Sequence, residues 1–146
     1  MAGSDELSVG IIGFGRIGAE HAGWLDSATG VRPAAVFDPT PPRRAVAQQR
    51  GLLTVDSVEQ LLHDSTIDAV LVSTPTAMHF EHASAALRAG KHVMVEKPMA
   101  IDARQARGLI ELAEERRLLL SVFHNRRWDI DYLTISAAIE NHLSAM

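Results

Sequence analysis

The sequence contains no cysteine, which excludes disulfides, thiolate metal sites and cysteine nucleophiles together. It has no basic excess either: 14 Lys and Arg stand against 18 Asp and Glu, a net charge of -4. Nothing in that balance argues for nucleic acid or an anionic membrane surface, and neither partner is expected. The apolar runs are of strand length, too short for a transmembrane helix. Met1–Leu7 carries Asp5 and Glu6 and no basic stretch, so a secretory signal peptide is not expected and a cytoplasmic protein is. Lysine is scarce, with Lys91 and Lys97 the only two against twelve arginines.

What remains is ordinary globular material. Hydrophobic residues make up 47% and charged residues 22% of 146 positions, which excludes disorder. That length suits one domain, able to bury roughly 70% of its extended-chain surface. Short apolar runs at Leu7–Ile12, Ala34–Phe37, Ala69–Val72, His92–Val95 and Leu118–Phe123 read as strands. Most are continuous rather than alternating, as in parallel strands covered on both faces. Helical patterns lie between them. Arg16–Ser27 places Ile17, His21, Trp24 and Leu25 near one face, and a second helix starts at Pro42 and stops at Gly51. Ser57-Val58-Glu59-Gln60 has capping-box spacing and opens a third helix to His63. Ala77–Ala89 ends on Gly90, and Asp102–Arg117 has Asp102 as N-cap and Arg116 and Arg117 at the dipole's negative end. Strand and helix in alternation predict an α/β fold, a doubly wound parallel sheet in a single domain.

The segment from Asp129 to Met146 reads differently. A helix over Ile130–His142 carries one stripe at Ile130, Leu133 and Ala137 and a second at Tyr132, Ile135, Ile139 and Leu143. Two stripes are more than one docked face needs. The expected organisation is a domain over 1–128, with 129–146 as the start of a further unit.

Gly13-Phe14-Gly15-Arg16-Ile17-Gly18 follows the run Val9–Ile12 and opens a helical pattern. In that context the first glycine allows a tight turn, the second lets backbone approach a pyrophosphate, and the third lets helix pack on strand. Phosphates would meet the N–H groups at the helix start near Arg16. Val36-Phe37-Asp38 ends the second strand, and a carboxylate there can accept from both hydroxyls of an adenosine ribose. The alternative is a structural glycine turn with Asp38 as a loop residue. Asp38 favours NAD over NADP, because a carboxylate repels a 2′-phosphate. Arg43 and Arg44 could instead pair with that phosphate or simply face solvent in the next helix.

Glu96-Lys97-Pro98 follows the strand His92–Val95, at the carboxyl edge where ligands bind in such folds. A lysine there can sit near a reacting hydroxyl, or be a surface loop residue. His79 and His82 are three apart on a helix, but no third ligand accompanies them and no metal site is expected. His21 reads as a helix residue packing near the glycine loop. Trp128 reads either as a residue at the nicotinamide end or as a core or domain-interface tryptophan.

Four motifs occur in order: Gly13-x-Gly15-x-x-Gly18-x-x-His21, Ser73-Thr74-Pro75-x-x-x-His79, Glu96-Lys97-Pro98 and Phe123-His124-Asn125-Arg126-Arg127-Trp128. With them the chain resembles the Gfo/Idh/MocA oxidoreductases, which include glucose–fructose oxidoreductase and inositol dehydrogenases, from about Val9 to Leu143. The resemblance implies a Rossmann fold whose glycine loop, residues Gly13, Phe14, Gly15, Arg16, Ile17 and Gly18, holds a nicotinamide dinucleotide with Asp38. It implies that Thr74 and Pro75 line the cofactor, that His79 is a cofactor-edge or packing residue, and that Glu96 and Lys97 flank the nicotinamide. Lys97 would contact the substrate hydroxyl or relay its proton as the catalytic candidate, Arg127 would lie on the substrate side, and Lys97–Pro98 would be cis.

Departures are visible. Thr76 replaces a common asparagine, Ile130 a common proline, and Asn141 and Ser144 stand where members have glycines. Members continue into a second domain with an open, mainly antiparallel sheet. It supplies the substrate pocket, the principal oligomer interface and an Asp/His pair, to which no position here maps. Three functions therefore compete: the NAD(P)-binding part of an oxidoreductase acting on a sugar or polyol CH–OH group, incomplete as a catalyst alone; a non-catalytic dinucleotide-binding or regulatory module; or a truncated inactive product. Self-association through the last helix is expected on any of them.

Overall fold

A computed structural model describes residues 6–142. Six strands form one sheet, β1 (Leu7–Ile12), β2 (Val31–Phe37), β3 (Leu53–Thr54), β4 (Ala69–Val72), β5 (His92–Val95) and β6 (Leu120–Val122). Their spatial order is β3-β2-β1-β4-β5-β6, and every pairing is parallel. The helices between them are α1 (Arg16–Ser27), α2 (Pro41–Gln49), α3 (Val58–His63), α4 (His79–Arg88) and α5 (Ala103–Arg116), with α6 (Ile130–His142) at the end. The strand order reverses between β1 and β4, and a crevice opens at the carboxyl ends on either side of that point.

Two apolar layers explain the continuous strand runs. Val70 and Val72 of β4 point into one cluster with Ile12, Ala35, Leu61 and Leu87, whereas Leu71 points into the other with Val9, Ile11, Val36 and Phe14. Successive side chains face opposite sides of a strand, and with helices on both sides each position is buried. The predicted bounds of β1, β4 and β5 agree with the structure. Elsewhere local geometry intervenes. β2 begins three residues earlier than expected, since Pro33 sits at a register shift opposite Val9/Gly10 and leaves the pairing intact. β3, only two residues long, carried no periodic signal. β6 is shorter than the apolar run Leu118–Phe123, and the helix expected over Ala77–Ala89 is a 3-10 turn, Thr76–Met78, followed by α4.

Caps behave as their residue types require. Ser57 accepts from the Gln60 N–H at 3.1 Å, and Asp102 from the Gln105 N–H at 2.8 Å. Gly90 takes φ +79° after α4, the left-handed turn that ends a helix without a Cβ penalty.

On α6 the stripe of Tyr132 and Ile135 is exposed, as a helix with only one docked face requires. Ile130 and Leu133 of the other stripe, which should have been docked, are exposed too, and the helix rests mainly on the 3-10 turn Asn125–Trp128. Ile139 is also largely exposed, and Leu143 lies outside the described residues. Among the described residues no helix is long and apolar enough to cross a membrane.

Away from the crevice, Lys91 is buried and its ammonium donates to the carbonyls of Ile67 (2.7 Å) and Asp64 (2.8 Å), pinning the turn before β4. Lys91→Met keeps the stem and leaves the Ile67 carbonyl without a donor, while the Asp64 carbonyl keeps only the Ile67 N–H at 3.3 Å. Unsatisfied buried groups cost about 1–3 kcal/mol, so chemical denaturation should show a loss of that order, with the slope on denaturant unchanged.

Candidate functional site

The loop between β1 and α1 is built by close approaches. Gly13 adopts φ +95° and donates its N–H to the Phe37 carbonyl at 2.8 Å. A Cβ there would come within 2.9 Å of the Ser73 backbone, and a Cβ on Gly18 would collide with the Gly13 carbonyl oxygen. Gly15 is different. A Cβ at that position would meet nothing nearer than the Arg43 guanidinium at 3.8 Å, so its empty side faces a cleft rather than protein. α1 starts from Gly15 with no side-chain cap, which leaves first-turn N–H groups and the dipole's positive end directed there. Ser73 closes the loop from the β4 end, its hydroxyl donating to the Gly13 carbonyl at 2.7 Å.

Asp38 stands at the end of β2, buried. Its Oδ2 accepts the Phe14 N–H at 2.7 Å and its Oδ1 the Thr40 N–H at 2.8 Å, with Arg43 Nη1 3.4 Å from Oδ2. Burial pushes the carboxyl up, but the Phe14 and Thr40 backbone donors, the Thr40 hydroxyl and Arg43 together outweigh it and hold Asp38 below the ordinary carboxylate value. Of the about four lone-pair positions a carboxylate offers, the two backbone N–H groups hold two, and the Thr40 hydroxyl and half-exposed Arg43 are the donors that a ligand in the cleft would displace. Arg44 donates to the Asp38 carbonyl at 2.6 Å. Both arginines are therefore tied to Asp38 rather than simply facing solvent.

Two cavities run along the carboxyl edge and share Arg16, Ile17, Ser73, Thr74 and Pro75. The first, about 760 Å³, extends over Gly13, Gly15 and Asp38 to Val58, Met78 and His82. The second, about 430 Å³, extends past His79, Glu96 and Lys97 to Trp24, Phe123 and Arg126. Together they make one cleft crossing the N-terminus of α1. Burial holds His82 below the ordinary imidazole value, against the opposing pull of Glu81, and its Nδ1 lies 3.2 Å from the Thr74 hydroxyl.

Most of the expected site residues converge here. Gly13, Gly15, Arg16, Ile17, Asp38, Thr74, Pro75, His79, Glu96 and Lys97 all line the cleft. Phe14 does not: its side chain packs in the core and its N–H is taken by Asp38. Gly18 acts underneath, in the contact of α1 with the loop. His79 is buried and joins the two segments, with Nε2 2.8 Å from the Thr74 carbonyl and Nδ1 2.8 Å from that of Pro98. Lys97–Pro98 is cis. Arg127 lies one step aside, in a neighbouring groove with Lys97, His124, Asp131 and Tyr132, while Arg126 reaches the cleft and pairs with Asp129 at 2.7 Å. Trp128 is three-quarters exposed and belongs to neither the cleft nor the core. Ser73, Trp24 and Phe123 also line the cleft, although the sequence did not single them out as site residues. Among the described residues no group of three His, Asp or Glu is placed to hold a metal ion.

The model of the oxidoreductase family with an NAD-binding Rossmann fold matches residues 7–124. The chain belongs to the Gfo/Idh/MocA family. Among its relatives in the family, the scyllo-inositol 2-dehydrogenase (NADP(+)) IolW of Bacillus subtilis is 36% identical over 92% of this chain and 38% of its own length. An inositol 2-dehydrogenase of Streptomyces avermitilis is 37% identical over 94% of this chain and 41% of its own. The solved structure of an NAD-binding protein from Listeria innocua superposes with a TM-score of 0.91 at 36% identity, covering 92% of this chain and 40% of that one. The chain thus spans about 40% of the length of the curated Gfo/Idh/MocA relatives it matches, and the matched part is their NAD(P)-binding Rossmann domain.

Asp38 gives the site a pH signature. Its folded-state value lies below the reference 3.8, so its ionised form stabilises the fold above that pH. The contribution is lost as pH falls through the folded value. Asp38→Asn should lower stability at pH 7 while flattening the acid limb below about pH 4, measured as urea midpoints across pH.

Proposed function

We propose that this chain binds NAD(H) along the cleft and serves an oxidoreductase that moves a hydride between the nicotinamide and a CH–OH carbon of a sugar or polyol. The observation that carries the reading is the single cleft running from the buried carboxylate Asp38, across the uncapped start of α1 and the open side of Gly15, to Lys97. These features fit a dinucleotide. Asp38 would hold the adenosine ribose, the N–H groups of α1 at Gly15, Arg16 and Ile17 the pyrophosphate, and Thr74, Pro75, His79 and Glu96 the nicotinamide half. The bound nicotinamide supplies or accepts the hydride. Lys97, exposed at the mouth of the smaller cavity and bordering the groove that contains Arg127, would meet the reacting hydroxyl and hold or pass its proton. Inositol dehydrogenases among the relatives support a polyol as the substrate class. The domain boundary that goes with this reading lies near Trp128, with 1–128 as the cofactor unit and α6 opening a second unit.

NAD is the proposed cofactor rather than NADP, because Asp38 is ionised and immobilised where a 2′-phosphate would lie. Arg43 tempers that preference, since its guanidinium pairs with the same carboxylate and is half exposed; the NADP(+) in the name of IolW is consistent with a small margin. NADH titration by fluorescence should show saturable binding, stronger than NADPH. Asp38→Ser should bring the two affinities together, while Arg43→Ala should weaken NADPH more than NADH. An unchanged NADH/NADPH ratio in Asp38→Ser removes Asp38 from the assignment, and absence of binding removes the cofactor reading.

Self-association through α6 is part of the same proposal. Ile130, Tyr132, Leu133 and Ile135 are exposed together, and burying each large apolar side chain is worth about 1.5–3 kcal/mol. Sedimentation of the chain over increasing concentration should show dimers or larger species, and a version lacking 129–146 should stay monomeric and more soluble.

A further inference from the structure

His21 lies one turn beyond Gly18 on α1, the helix whose start faces the cleft. It is buried, at 2% exposure. Its Nε2 is 2.7 Å from Glu96 Oε1, a contact between residues 75 positions apart. A carboxylate only accepts, so the Nε2–H donates. The other oxygen of Glu96, Oε2, accepts the backbone N–H of Lys97 at 3.1 Å. One carboxylate is thereby fixed at both ends, by α1 on one side and by the backbone of the lysine on the other.

The surroundings keep this link from slackening. Trp24 presents its ring to His21 at 4.9 Å and 79°, and Phe123 does so at 4.4 Å and 69°, while Trp24 and Phe123 stack at 5.7 Å. The imidazole is thus held by packing as well as by its hydrogen bond, with water kept from one side of it. Trp24, Phe123, Glu96 and Lys97 all line the smaller cavity, whereas His21 stands behind them. A glutamate hydrogen-bonded only to the N–H of the next residue keeps most of its rotamers; a second anchor on a packed helix removes them.

We infer that His21 is a positioning residue that, through Glu96, fixes the backbone of Lys97 and so orients the lysine amine at the nicotinamide end of the cleft. The inference rests on the proposed dinucleotide reading, which it deepens. It separates His21 from a core histidine that merely fills space, since it predicts an effect confined to one end of the ligand.

The experiment compares NADH with ADP-ribose, which shares the adenosine and both phosphates but lacks the nicotinamide, by calorimetry on the intact chain. His21→Phe keeps a ring and removes the donor; His21→Gln retains an N–H of similar reach. NADH affinity should fall about five-fold in His21→Phe, the cost of ordering one freed side chain on binding, with ADP-ribose affinity changed by less than about two-fold. His21→Gln should recover most of the difference. If His21→Phe does not fold, His21→Leu, which also removes the donor, should give the same selective loss. Equal losses for both ligands, an unchanged NADH affinity, or no recovery in His21→Gln overturn the inference. Failure of the unaltered chain to bind either ligand instead overturns the dinucleotide reading.

Discussion

The first turn of α1 lies against the carbonyl of Gly13, closer than any side chain allows. That approach sets the angle at which the helix leaves β1. A Cβ on Gly18 would lever α1 away from the β1–β4 junction and take the helix N-terminus off the cleft. It would also move His21, one turn along, out of reach of Glu96, and displace the Phe14 N–H that Asp38 holds. The geometry at both ends of the cleft therefore depends on one steric allowance. Helix packing, loop conformation and site geometry are a single constraint here rather than three.

Charge is divided along the cleft in a way that suits a two-ended ligand. At the β2 end a buried carboxylate is held ionised by two backbone N–H groups and shadowed by Arg43. At the β5 end Lys97 and Arg126 lie on the same cavity wall as Glu96. Between them come uncapped helical N–H groups, the small residues Gly15, Ser73 and Thr74, and Arg16, whose charge is paired with Glu20. Ordered donors and acceptors set in a rigid sheet lose little on binding, because they are already oriented.

Legibility in the sequence divides along the line between local and non-local features. β1, β4 and β5 could be read because both sheet faces are covered, which turns each strand into an unbroken apolar run. The glycine loop and Asp38 could be read because their spacing is a property of one strand–helix–strand unit. β3 could not, since Leu53–Thr54 is too short for any period, and the turn at Thr76–Met78 was absorbed into the helix it precedes. The His21–Glu96 bond had no sequence signal at all: 75 residues separate its partners, and only the folding of α1 beneath the β5 end joins them. Arg126 rather than Arg127 reaches the cleft because the 3-10 turn Asn125–Trp128 rotates neighbouring side chains by about 120° each. The exposure of both stripes of α6 was equally non-local, since amphipathicity says that a face wants cover and not what provides it.

The lysine count acquires a practical meaning once both residues are located. Lys91 is enclosed with its ammonium occupied by two carbonyls, whereas Lys97 is exposed at the mouth of the cleft. Apart from the α-amino group, the protein offers an acylating reagent a single accessible side-chain amine, and that amine sits at the proposed reaction centre. An ordinary amine label therefore becomes a site-directed one. With the α-amino group blocked first, since it is the less basic amine and reacts ahead of lysine near neutral pH, a fluorophore or isotopic tag would report events in the cleft without any engineered residue.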